Sequence, residues 1–250
     1  MNIRVIPTIQ EARVEELRRK TVIVIDVLRA TSTMLAALSN GCSAVIPVET
    51  VEQAKELQGP GHLLGGERGC RRIPGFDLGN SPAEYTPSAI AGSVLIMTTT
   101  NGTRAIRKAE QAGRILVGSL LNAQACARKA QSLGKEIVIL CSGTRDIFSL
   151  EDGLGAGAIV DELLQPSCPA GTGRQADLPQ VNDFGLSMMH AYRAAKDNME
   201  AALLACENGR RLVSLGYRED VAFCSRLNAI ASAPEIRSGR LMPDVPLNPL

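Results

Sequence analysis

The sequence predicts an α/β protein with three layers, α/β/α, around a mostly parallel sheet. Three observations predict it. Short runs rich in valine and isoleucine recur with little polar alternation, as strands covered on both faces do. Amphipathic stretches of helical length separate them, the alternation that builds βαβ units. Finally, 45% of the 250 residues are apolar, enough for a sizeable core.

The strand runs are Ile3–Ile6, Val22–Val27, Ala44–Val48, Val94–Met97, Ile115–Val117 and Ile137–Cys141. Helices are expected between them over Ile9–Arg19, Thr33–Ser39, Val51–Leu57, Gly102–Ala112 and Asn122–Leu133. Leu150–Leu164 reads as a glycine-containing helix, and the prolines and glycines of Gln165–Pro179 mark an exposed loop. Val181–Glu207 then reads as one long helix and Arg210–Leu227 as two shorter ones, before a proline-rich tail with a short strand near Arg240–Met242. Residues 1–250 read as a single domain; the one compositional break, near 165–180, marks a subdomain boundary or a variable loop within it.

Composition excludes several functions. The formal charge is +1, which creates no field to draw in nucleic acid or an anionic membrane, so any bound anion must be met by a local site. Seven aromatics and no tryptophan argue against base-stacking platforms. The two histidines, His62 in an expected loop and His190 on an expected helix, lack the spacing of metal or triad sites. Seven cysteines without a C-x-x-C pair fit reduced thiols, and no stretch has signal-peptide or membrane-span character, so a cytoplasmic protein is expected.

Ligands of open parallel sheets bind beyond the carboxyl ends of the strands, so the loops that follow each strand are the informative segments. In Asp26-Val27-Leu28-Arg29-Ala30-Thr31-Ser32-Thr33, Asp26 can ligate a cation or act as a nucleophile, while Arg29 can grip an oxyanion in a bidentate way. An N-cap cluster with an Asp–Arg pair would look the same. Thr98, Thr99, Thr100, Asn101, Gly102, Thr103 and Arg104 form a donor-rich helix entry suited to phosphate, with more donors than a cap requires.

The third loop holds Ser142, Gly143 and Arg145, with Glu151 and Asp152 opening the next helix; those acids can hold a hard divalent ion or simply complement the helix dipole. The fourth, Leu64-Gly65-Gly66-Glu67-Arg68-Gly69 with Phe76-Asp77-Leu78-Gly79-Asn80-Ser81-Pro82 soon after, brings the backbone close and supplies an acid and a base, as a surface turn also would. There is no G-x-x-x-x-G-K-[ST]. Gly153-Leu154-Gly155-Ala156-Gly157-Ala158 matches G-x-G-x-x-A but follows a turn and two acids rather than a strand, so close helix packing is preferred over a dinucleotide site. Met188-Met189 reads as core filling.

Taken in order, DVLRATST, GGERG, GFDLGNSP, TTTNGTRA, CSGT with FSLEDGLGAG, and ENGRRLVSLGYREDVAFC resemble the 2-phosphosulfolactate phosphatase family. The resemblance implies a Mg²⁺-dependent hydrolase that removes phosphate from 2-phospho-3-sulfolactate, giving 3-sulfolactate on a route to coenzyme M. It implies a site of Asp26, Arg29, Glu67, the Thr98–Arg104 loop, Ser142-Gly143 and Glu151-Asp152. On that basis Mg²⁺ is expected on Asp26 and Glu151 or Asp152 with Glu67 near it. Arg29, Asn101 and Arg104 are expected on the phosphoryl group, and Arg68 or Arg145 on the sulfonate or carboxylate end. Expected partners are a small multiply anionic phospho-acid and, as an option left open, a second copy of the chain. A phosphatase for a related hydroxy acid, a non-catalytic anion-binding module and a dinucleotide-dependent oxidoreductase are the competing readings.

Overall fold

The computed structural model describes residues 1–165 and 179–244. The chain opens with β1 (Asn2–Ile6), a one-turn helix α1 (Val14–Leu17), β2 (Thr21–Ile25), α2 (Ala30–Ser39), β3 (Ala44–Val48) and α3 (Val51–Glu56). There follow β4 (His62–Arg68), β5 (Arg71–Arg72), α4 (Pro87–Ile90), β6 (Val94–Thr98), α5 (Gly102–Lys108) and β7 (Arg114–Gly118). Next come α6 (Ala123–Leu133), β8 (Glu136–Cys141), α7 (Leu150–Leu163), β9 (Gln180–Val181) and α8 (Asp183–Ala195). The helices α9 (Met199–Ala205), α10 (Glu207–Ser214) and α11 (Arg218–Cys224) precede a hairpin of β10 (Glu235–Arg237) and β11 (Arg240–Met242).

These strands form one sheet in the order β5-β4-β6-β3-β11-β10-β7-β2-β8-β1-β9. Two parallel blocks, β4-β6-β3 and β7-β2-β8-β1-β9, are joined by the antiparallel C-terminal hairpin, which touches β3 through Leu241 opposite Val45 and β7 through Glu235 opposite Leu116. Alternation along β2 shows why both faces must be covered. Val22 and Val24 pack with Met34, Leu35 and Ile106 of α2 and α5, whereas Ile23 and Ile25 pack with Cys126, Leu154 and Ile159 of α6 and α7. All four β2 residues are fully buried, so a strand without polar alternation is what this position demands. The α/β/α layering predicted above is therefore present.

The glycine run of α7 is used for packing. A Cβ on Gly157 would stand 2.1 Å from the Met188 carbonyl oxygen, and one on Gly153 2.5 Å from Met188 Sδ, so α7 and α8 meet backbone to backbone. Gly155 likewise faces Val27, where a Cβ would lie 2.9 Å from Cγ2. Met189 is buried in the same core.

Three expectations need correction, and a fourth lies outside the described residues. The helix over Ile9–Arg19 shrinks to α1: Arg18, with ψ of 130°, leaves the helical conformation to bridge Ala112, and Arg19, with φ of 59°, turns so that its N–H meets the Gln111 carbonyl. The loop expected around His62 and Gly65-Gly66-Glu67 is strand β4; Gly66, with φ of 137°, lies so close to β6 that a Cβ would sit 1.9 Å from the Thr98 carbonyl oxygen. His62 therefore begins a strand, its Nδ1 2.8 Å from the Leu57 carbonyl oxygen. The single helix over Val181–Glu207 is divided: Val181 pairs with β1, a 3₁₀ turn at Lys196–Asn198 separates α8 from α9, and Cys206 in extended geometry caps α10. The exposed loop expected over Gln165–Pro179 falls almost wholly outside the described residues.

Candidate active site

Loops from both parallel blocks meet beyond the strand ends around a cavity of about 90 Å³. Asp26 and Arg29 come from the loop after β2, Glu67 from the end of β4, Thr100 and Asn101 from the loop after β6, and Arg145 from the loop after β8. A larger groove of about 740 Å³ lies between α6 and the C-terminal hairpin, but several of its cations are already paired: Arg114 and Arg237 with Glu235, and Lys129 with Asp244. The strand-end cavity, where acids and guanidiniums converge, is therefore the candidate site.

Asp26 is the first residue past β2, where the strand's backbone pairing stops and α2 has not begun. Its Oδ1 accepts from the Ala30 N–H at 3.0 Å, and its backbone is pinned by reciprocal bonds with the Thr31 hydroxyl. Gly102 lies directly against it, since a Cβ there would stand 2.8 Å from Asp26 Oδ2. Burial raises the Asp26 pKa to about 7, with the charges of Glu67 and Glu151 adding to the rise against the Ala30 and Gly102 N–H groups.

Arg29 follows a cis Leu28–Arg29 peptide bond and is 3% exposed. Nη1 donates to Asp220 Oδ2 at 2.5 Å, Nη2 to the Cys70 carbonyl at 3.1 Å, and the guanidinium lies 4.4 Å from the Tyr217 ring centre. Asp220 is held in turn by the Ser81 hydroxyl at 2.6 Å. Arg29 is thus aimed by α11 and the loop before α4, and its remaining N–H donors are free for an anion.

The other acids differ in availability. Glu67 Oε1 accepts from the Thr100 N–H and hydroxyl, both at 2.8 Å, and Oε2 from the Cys70 N–H at 2.7 Å, so it ties β4 to the loop after β6. Asp152 accepts from the Val27 and Gly143 N–H groups at 2.8 and 3.0 Å and ties α7 to the β2 and β8 loops. Burial, together with the charges of Asp26 and Glu151, pushes the Asp152 pKa well up, and burial also raises Glu151. Glu151 and Asp152 lie behind the cavity, while Asp26 and Glu67 form its wall. Among the described residues no three histidine, cysteine, aspartate or glutamate side chains are gathered as a ready chelate. Two oxygen donors in the wall of a cavity still suit a hard cation that keeps most of its water and takes oxygens from substrate, the habit of Mg²⁺.

The structure separates the expected residues. Asp26, Arg29, Glu67, Thr99, Thr100 and Asn101 line one cavity, and Arg145 joins them. Arg68 does not: it donates to the carbonyls of Glu67 and Glu49 and to Thr98 Oγ1, sealing a strand end. Arg104 is exposed and pairs with Asp146 at 3.6 Å. Thr98 bonds the Glu49 carbonyl, Thr103 and Thr99 cap each other, and Ser142 bonds the Ile25 carbonyl at 2.8 Å. Gly143, with φ of 65°, makes the turn that lets its N–H reach Asp152. Sequence reasoning missed Asn80, Asn208 and Arg211 in the cavity wall, and Asp220 and Tyr217 behind Arg29. Their signal lay in the blocks GFDLGNSP and ENGRRLVSLGYRED, which resembled a family without showing what each residue touches.

An α/β/α sheet that gathers a buried arginine and an aspartate of raised pKa at its strand ends offers anion binding with acid–base chemistry, and the comparisons with known proteins give the class, hydrolases acting on phosphate esters. The model of one such family, 2-phosphosulpholactate phosphatase, matches residues 7–239. A protein of Symbiobacterium thermophilum described as a probable 2-phosphosulfolactate phosphatase is 40% identical over 91% of this chain and 96% of its own length. Proteins with the same description from Caldanaerobacter subterraneus subsp. tengcongensis and Clostridium acetobutylicum are 38% and 36% identical, over 90% and 97% of this chain and 90% and 100% of their own. This chain belongs to the 2-phosphosulpholactate phosphatase family and is a phosphoric monoester hydrolase. Among the described residues no helix is long and apolar enough to cross a membrane.

Proposed function

We propose that the chain is a cytoplasmic, Mg²⁺-dependent enzyme that hydrolyses 2-phospho-3-sulfolactate to 3-sulfolactate and inorganic phosphate, on a route to coenzyme M. The observation that carries the reading is one small cavity walled by a fixed guanidinium, Arg29, and by two carboxylates, one of them hard to ionise. A multiply anionic ester would be repelled by those acids unless a cation lay between them. The relatives' descriptions name 2-phosphosulfolactate as the substrate of those proteins. The six described cysteines are unpaired thiols, in keeping with a reducing compartment.

In this mechanism Asp26 and Glu67 would hold Mg²⁺, which when bound would neutralise charge on the phosphoryl group. Arg29 donates to phosphoryl oxygens, its direction set by Asp220 and Tyr217. Asp26, prevented from turning by the Ala30 N–H, accepts a hydrogen bond from the attacking water and points its oxygen at phosphorus. The water oxygen bonds to phosphorus as the bond to the ester oxygen breaks. The electron pair stays on that oxygen, which becomes the product hydroxyl with the proton given up by water. The test is phosphate release by the purified protein. Release with Mg²⁺, its loss in EDTA and no acyl-phosphate on rapid quench are expected; no release from any phospho-acid would sink the reading.

A further inference from the structure

Resting on that reading, we infer that Arg211 of α10 is the specificity-determining residue that grips an acid group of the substrate other than the phosphate. A substrate carrying phosphate, carboxylate and sulfonate needs more counter-charge than Arg29 supplies. Arg29 is a buried partner of Asp220, so it offers direction and hydrogen bonds but little net charge. Arg68 and Arg104, the other arginines expected nearby, are committed to strand-end carbonyls and to Asp146.

Arg211 is placed differently. It lines the cavity, is half-buried, and makes no ion pair among the described residues. It approaches the Gly69-Cys70 turn that Arg29 also reaches: Arg211 Nη2 lies 3.9 Å from where a Cβ on Gly69 would stand, and Arg29 Nη2 bonds the Cys70 carbonyl. The two guanidiniums therefore flank one turn of the wall, one neutralised and the other not. The same cavity holds Asn80, whose Oδ1 is buried without a hydrogen-bond partner. That oxygen is an acceptor, so it takes a hydrogen bond from water or another donor and leaves an anionic group to the guanidinium. Arg145, the other cavity-lining arginine without an ion pair among the described residues, sits on the exposed loop after β8, where its backbone N–H lies 3.4 Å from Asn101 Oδ1. With Arg29 assigned to the phosphoryl group, Arg211 is left to meet the part of the substrate that does not react.

The test compares kcat/KM of wild type and Arg211→Gln on 2-phospho-3-sulfolactate, 2-phospholactate and glycerol 2-phosphate, which carry two, one and no acid groups besides the phosphate. The wild-type preference for 2-phospho-3-sulfolactate over glycerol 2-phosphate should shrink by about 30-fold in the variant, mostly through KM, the size of a lost charge-assisted contact. Arg211→Lys should restore part of it. If the arginine holds the sulfonate, the preference over 2-phospholactate shrinks equally; if it holds the carboxylate, that preference is kept. Unchanged preference over glycerol 2-phosphate overturns the inference. Titration of 3-sulfolactate by calorimetry decides the matter even if no phosphate is released: binding weakened in Arg211→Gln supports the subsite, and equal binding removes it.

Discussion

Asp26 carries a conflict that its neighbours do not relieve. Buried against Glu67 and Glu151, its carboxyl keeps a proton up to about pH 7, whereas the unfolded chain gives it up near the usual value of about 4. The folded state therefore binds more protons over that interval. Its contribution to stability is complete below the unfolded pKa and is lost as pH rises through about 7. Asp26→Asn should then have opposite effects on stability and turnover. In chelator at pH 8 it should raise Tm, because a buried charge is gone, while with Mg²⁺ present phosphate release should fall by about 100-fold or more. Thermal melts and a phosphate assay check both, and a lowered Tm at pH 8 would show that the charge is already compensated. Asp26 and Arg29 were legible as chemistry-bearing residues from their types and their place after a strand. That Arg68 turns away to cap strand ends was not, because a side chain's direction depends on which carbonyls are left open nearby.

Among the elements, α7 shows how a motif's meaning depends on what precedes it. The Gly153–Ala158 run has the spacing of a dinucleotide loop, but it lies inside a helix, and its glycines admit the backbone of α8. Gly157→Ala should cost about 1–3 kcal/mol, since the new methyl meets a carbonyl rather than a side chain that can move aside. Urea denaturation measures this directly, and an unchanged midpoint would mean that α7 and α8 can part at no cost. Strand β4 was hidden for a related reason. Its two glycines weaken the apolar signal that marks a strand, yet they are what allows the close approach to β6. The strands β2, β3, β6, β7 and β8 were readable because a strand buried on both faces has no polar position to disguise it.

At the scale of the whole molecule, the cavity exists because two parallel blocks present their carboxyl ends to a common space, and the C-terminal hairpin links the blocks. Glu235 of that hairpin, 3% exposed, receives Arg114 of β7 at 2.8 Å and Arg237 at 3.1 Å. Burial works to raise its pKa, but these two arginines outweigh it and hold the carboxyl below its usual value. Its stabilising effect is present above the unfolded glutamate pKa and is lost as pH falls through the lowered one. Glu235→Gln should therefore lower Tm at pH 7 by several degrees and make the acid limb of stability shallower. Differential scanning calorimetry across pH 3–7 distinguishes this from a change that merely shifts the curve.

The sequence by itself determined the layered α/β class, the succession of doubly buried strands, the loops able to carry anion chemistry, and the family. The first three follow from local composition and periodicity, which act within one element at a time, and the family from the resemblance of six blocks taken in order. The tertiary structure alone decided which candidates face one another: Asp26 beside Glu67 from the other block, Arg29 fixed by Asp220 from α11, and Arg211 in the wall without an ion pair among the described residues. Those pairings join residues far apart in the chain. They are settled by the order of strands in the sheet and by which backbone groups remain to be satisfied at its end, and neither is written in any single segment.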